Sequence, residues 1–149
     1  MNEPAYPFRV SDDALDYQFE SVSEQRVINK LVQFRPFPSN PIFYNMALLD
    51  VSNDGTVDDS AVTNNEDMPK VLATVVAALL TFFEQYPHKL VHFKGSDTNG
   101  VRTRLYRIVV NRELNKIGPT FTIYGQLADE IFEEFRANQP YTAFIIQKK

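Results

Sequence analysis

The residues best suited to chemistry in this chain lie together: Phe93-Lys94-Gly95-Ser96-Asp97-Thr98-Asn99-Gly100-Val101-Arg102-Thr103-Arg104-Leu105-Tyr106-Arg107. A strand expected over Leu90–Phe93 leads into glycines and small polar residues. Three arginines then follow within six positions. Free N–H groups at a helix start attract anions. Lys94, Gly95, Ser96, Thr98, Arg102, Arg104 and Arg107 are therefore the candidate anion-binding residues. Arginines in a first helical turn oppose the helix dipole, which a negative partner would offset, although Asp97 as a cap could do so alone.

The glycine spacing matches a phosphate-binding P-loop, but the chemistry does not. Val101 stands where a lysine should reach the phosphates, and Arg102 where a hydroxyl should hold magnesium. If residues 98–117 are helical, Arg104, Arg107 and Asn111 share a polar strip. Arg102 then falls inside the apolar arc of Val101, Leu105, Ile108 and Val109. If the segment is a strand, Arg102, Arg104 and Tyr106 share one face, a basic and aromatic strip of the kind that holds single-stranded nucleic acid.

Other constellations are weaker. Asp50, Ser52, Asp54, Thr56 and Asp58, with Gly55, follow the first nine positions of a calcium loop. Position 12 is Ala61, so the bidentate carboxylate is missing and a hairpin turn accounts for Asn53-Asp54-Gly55. His88 and His92 on a strand would sit roughly 13 Å apart along the chain and could not chelate one ion. No catalytic triad is legible, no carboxylate pair stands out by spacing, and no cofactor or metal is implied.

These residues belong to a chain of 149 residues, one domain by size. Its 44% apolar and 13% aromatic content suffices for a core, and 23% charged residues exclude wholesale disorder. The chain has no cysteine, so thiol chemistry is excluded, which fits a reducing cytoplasm. No apolar run approaches the ~20 residues of a membrane span, and Met1-Asn2-Glu3-Pro4 does not open a signal peptide. The net charge is −4, yet Lys89 to Arg112 carries six cations against Asp97, which can steer an acidic partner. The alternative is that this basic face pairs with the protein's own acids.

The elements that would position these residues follow from periodicity. Residues 1–14, polar and punctuated by proline, are expected as a loose arm before a globular unit of residues 15–149. Leu15–Phe19, Arg26–Phe37 and Ile42–Val51 read as strands, the second with room for a bulge, and Asn53-Asp54-Gly55 turns into a short fourth. Met68–Tyr86 is helical, with apolar residues on two sides and thus heavy burial; Asn65 or Asp67 can cap it and Pro87 stops it. Leu90–Phe93 is a strand, residues 98–117 a helix, Phe121–Tyr124 a strand, Asp129–Arg136 a short amphipathic helix, and Tyr141–Ile146 a last strand. The expectation is an α+β single domain: an antiparallel β-meander, a long buried helix, then a β-α-β-α-β half. Tyr17, Phe19, Phe34, Phe37, Phe43 and Tyr44 crowd the first strands, where an exposed subset could stack bases.

Several segments together resemble a family of small uncharacterised bacterial proteins, a domain of unknown function. They are Phe43-Tyr44-Asn45-Met46-Ala47-Leu48, Asn65-Glu66-Asp67 with Val71-Leu72-Ala73-Thr74-Val75, Lys94-Gly95-Ser96 with Arg102–Arg107, Phe121–Gly125 and Tyr141–Phe144. In that family the loop after Gly95-Ser96 is shorter. The resemblance implies one compact domain and carries no activity. The functional expectation is a non-enzymatic binding module whose Gly95–Arg107 segment meets an anion or nucleic acid. The alternative is a protein-interaction or structural domain with solvated arginines.

Overall fold

The computed structural model describes residues 5–24, 26–52, 54–55, 57–58, 67–94, 119–127, 131–136 and 139–149. The strands are β1 (Arg9–Val10), β2 (Asp16–Val22), β3 (Val27–Phe37), β4 (Asn40–Val51), β5 (Val57–Asp58), β6 (Leu90–Phe93), β7 (Phe121–Gln126), β8 (Phe132–Glu134) and β9 (Ala143–Lys148). One helix, α1 (Met68–Gln85), stands among the described residues. The strands form a single sheet in the order β1-β2-β3-β4-β6-β9-β7-β8, with β5 paired to β4. All neighbours are antiparallel except β4 and β6, which are parallel. That parallel step needs a crossover, and α1 lies in it.

Alternation along the strands sets one face of the sheet against the core. Tyr17 pairs with Val32 and Val32 with Leu48, while Phe34 pairs with Met46. The same face continues through Tyr44, Val91, Ile146 and Ile123, and through Phe93, Phe144 and Gly125. Val71, Val75, Ala78, Leu79, Phe82 and Phe83 of α1 are buried in the cluster these residues form. The Phe34 and Phe82 rings stack at 4.3 Å. Burying each large side chain stabilises by roughly 1.5–3 kcal/mol. Leu80 is 41% exposed, so the helix does not bury both of its apolar sides.

The α+β class, the single domain and the long helix are as expected; the finer arrangement is not. Asp129–Arg136 was expected to be helical because Ile131, Phe132 and Phe135 share a helical face. Instead Phe132–Glu134 is a strand that pairs with β7 through Gly125 and Glu133. Leu127 N–H donates to Ile131 C=O, and Phe135 N–H to Ile123 C=O. β7 needs partners along its outer side, and that demand outweighs a local helical pattern. Phe135 turns inward while Ile131 and Phe132 stay exposed. The expected helix over residues 98–117 lies outside the described residues. The register shift in β3 falls between Pro36 and Phe37, at the strand end, and not among Ile28, Leu31 and Phe34. The interior of β3 needs no bulge because Leu31 pairs with Leu49 on the opposite face, where both are buried.

The amino-terminal segment is not loose where it is described. Tyr6 is 7% exposed, Arg9 pairs with Gln18 and Val10 with Tyr17. Pro7 suits an edge position, where a missing N–H donor is tolerated.

Candidate cleft beside Tyr6

Tyr6 anchors the segment to the first two turns of α1. Its backbone N–H donates to Thr74 Oγ1 at 2.8 Å, and Thr74 Oγ1 donates to the Lys70 carbonyl at 2.8 Å. The Tyr6 hydroxyl donates to Asp67 Oδ2 at 2.5 Å and accepts from the Val22 N–H at 3.1 Å. Ser21 Oγ donates to the same Asp67 oxygen. Asp67 is the N-cap residue of α1, but its side chain makes no cap hydrogen bond. The carboxylate is turned to the arm and β2 instead. Burial, and then the hydrogen bond to Asp67, hold the Tyr6 phenol above its ordinary range. The Tyr6 ring stacks on Phe19 at 5.8 Å, and the Lys70 ammonium lies 4.3 Å from its centroid.

Beside this anchor a cleft of about 770 Å³ opens between the arm, β2, β3 and the start of α1. Its cations are Arg9, Lys30 and Lys70, and its carboxylate is Glu20. Tyr6, Phe8 and Phe19 give it an aromatic wall, and Gln18 and Asn29 add amides. Lys30 is 4% exposed, and its Nζ meets Asp50 Oδ1 at 2.6 Å. The register makes this pair: Phe19 opposes Lys30, which opposes Asp50, in one row. Arg9 and Lys70 have no carboxylate partner among the described residues. The arrangement can hold an acidic group against Arg9 and Lys70 and an apolar body against the rings.

Of the sequence-based anion-binding candidates only Lys94 is among the described residues, and it does not line this cleft. Lys94 is exposed at the end of β6. Gly95, Ser96, Thr98, Arg102, Arg104 and Arg107 lie outside the described residues. The Asp50–Asp58 segment forms the hairpin, with Asp50 opposite Asp58 and the Gly55 N–H donating to the Ser52 carbonyl. Gly55 has φ 87°, a left-handed value that suits glycine. Asp50 is committed to Lys30. Among the described residues no group of three or more His, Asp or Glu could hold a metal ion. His88 is exposed, whereas His92 is half-buried with its ring edge-on to Phe37 and Asn45 Oδ1 3.5 Å from its Nδ1. Burial and then the charge of Lys94 lower its pKa.

Arg9, Lys30 and Lys70 were not singled out by sequence reasoning. One signal was present: Lys30 stands in alternation with Val32 and Phe34, so it had to face the core.

The likeness to an uncharacterised family can be tested on the whole chain. A model described as Family of unknown function (DUF6934) matches residues 2–149. The chain belongs to this family. No curated protein and no solved structure matches it. The family has no assigned activity, so the cleft must be read on its own chemistry. No described helix is long and apolar enough to cross a membrane.

Proposed function

We propose that the chain is a non-catalytic binding module, and that the cleft beside Tyr6 takes a small ligand with an acidic group on an aromatic or apolar body. The observation that carries this is the charge of the lining. Arg9 and Lys70 border a space of about 770 Å³ with no carboxylate partner among the described residues, while Lys30 is already paired. Glu20, Gln18 and Asn29 add hydrogen-bonding groups for orientation. Calorimetric titration with phenyl phosphate, with benzyl alcohol as the uncharged counterpart, tests it. The phosphate binds and the alcohol does not; equal binding, or none, refutes it.

A second reading keeps an anionic ligand, takes it to be nucleic acid and moves the site to Lys94–Arg107. Its support is the sequence bias of six cations against one anion over Lys89–Arg112, with Lys94 exposed at its edge. Contacts of this kind serve phosphates more than bases. Binding of a single-stranded oligonucleotide would fall with salt at a log–log slope of about −0.7 per phosphate, roughly −2 for three arginines. Replacing Arg104 and Arg107 by Ala flattens that slope. An oligonucleotide that does not bind at low salt removes this reading and leaves the cleft untouched.

A further inference from the structure

We propose that the Tyr6–Val10 arm is exchangeable between two copies of this chain, so that each cleft can be completed by the other copy's arm. This stands independently of what the cleft binds.

The first observation is where the arm is held. Its contacts run to β2 and α1: Tyr6 to Thr74, Asp67 and Phe19, Phe8 to Tyr17 at 5.5 Å, Arg9 to Gln18 and Val10 to Tyr17. A second copy presents an identical arm, so exchange re-forms the same contacts with no new surface to build. The arm also covers the outer edge of β2, an edge that an apolar strand cannot leave open without inviting another chain.

The second observation is the hinge. Residues 11–15 turn the chain between β1 and β2, and Ala14 has φ 59°. It is the one non-glycine residue with positive φ among the described residues. Alanine lacks the short polar side chain that makes this conformation tolerable for Asn or Asp. An open hinge, extended toward a partner, releases that strain at both ends of a dimer. Against opening stand the bonds of the turn and its packing: Ser11 Oγ accepts from the N–H groups of Leu15 and Asp16, Ala14 N–H donates to the Ser11 carbonyl, the Tyr86 hydroxyl donates to the Asp13 carbonyl at 2.6 Å, and Ala14 is buried. The closed form therefore holds at low concentration, and exchange is a mass-action event at high concentration. In the exchanged form Tyr6 and Arg9 of each cleft belong to the partner subunit.

The chain has no cysteine, so an engineered pair reports connectivity without interference. Arg9→Cys with Gln18→Cys places the pair at opposed register positions of β1 and β2. Oxidised at low concentration, the double variant closes within one chain and runs as a monomer on a denaturing non-reducing gel. Oxidised after equilibration at high concentration, it runs partly as a covalent dimer. Adding Ala14→Gly lowers the dimerisation constant by roughly 5–30-fold for each hinge, because glycine removes the strain from the closed form. Deleting Asp12 and Asp13 shortens the connection and makes the dimer predominate in light scattering. A shortened chain that stays monomeric or fails to fold overturns the proposal. So does a dimer whose disulfides all close within single chains, or an Ala14→Gly chain that dimerises as well as the parent.

Discussion

The Asp67 carboxylate, at the start of α1, accepts the Tyr6 hydroxyl proton at 2.5 Å and leaves its own helix end without a side-chain cap. One carboxylate thereby joins three parts of the chain that are far apart in sequence: the arm, β2 through Ser21, and the helix. A hydrogen bond to a charged group stabilises by about 1.5–3 kcal/mol. Tyr6→Phe removes it and also leaves the Val22 N–H without that acceptor. The expected loss is about 1.5–3 kcal/mol in urea denaturation, and it shrinks when Asp67→Asn is already present. Independent, additive losses would show that the two groups are not coupled.

Tyr17 poses the opposite situation. Its side chain is fully buried, and its hydroxyl has no hydrogen-bond partner among the described residues. Burial pushes its pKa from 10.0 up to about 12. A phenol whose folded pKa is raised binds more protons folded than unfolded in that window. Its contribution to stability is complete below pH 10.0 and is lost as pH climbs toward about 12. Tyr17→Phe deletes the unsatisfied hydroxyl and should raise stability at neutral pH by about 1 kcal/mol. It should also make the alkaline decline shallower. A variant less stable than the parent at neutral pH would mean that the hydroxyl has a partner.

The Lys30–Asp50 pair is buried on one side and nearly so on the other, at 3% and 14% side-chain exposure. Removing either partner strands the other's charge. Lys30→Ala and Asp50→Ala should each cost about 3–5 kcal/mol. The double replacement Lys30→Met with Asp50→Leu should recover most of that loss, because apolar residues of similar volume often substitute for a buried pair. Thermal unfolding of the three variants is the check, and a double variant as unstable as the singles would contradict it.

At the other end of the sheet, Gly125 is a platform for Tyr141. A Cβ built on Gly125 would lie 2.4 Å from the Tyr141 ring carbons. That ring is 1% exposed and its hydroxyl is tied to Glu133 Oε2 at 2.8 Å, so it cannot swing away freely. Gly125→Ala should destabilise by about 1–3 kcal/mol through overpacking. An unchanged melting temperature would show that the ring has room to move.

How much of this was legible before the structure differs by element. Met68–Gln85 and Leu90–Phe93 follow from periodicity because each is bounded by strong stop signals and carries a long or continuous apolar pattern. Phe132–Glu134 did not, since three apolar residues on one helical face are outweighed by the unpaired side of β7. The burial of Tyr6 was invisible because its partners, Asp67 and Thr74, are 61 and 68 residues away. The cleft was hidden for a similar reason. The Phe19–Lys30–Asp50 row exists only through strand register, which sequence spacing does not reveal. Gly95–Arg107 stands out in the sequence because it is contiguous, and it lies outside the described residues.

The central claim rests on Arg9 and Lys70, the cations of the cleft that have no carboxylate partner among the described residues. The most direct measurement is the calorimetric affinity for phenyl phosphate of the parent and of an Arg9→Gln, Lys70→Gln double variant. Loss of two charge-assisted contacts, each about 1.5–3 kcal/mol, should weaken binding by about a hundredfold or more. The melting temperature should fall only slightly, since the one described interaction lost is the Lys70–Tyr6 cation–π contact. An unchanged affinity in the double variant would contradict the cleft as the ligand site.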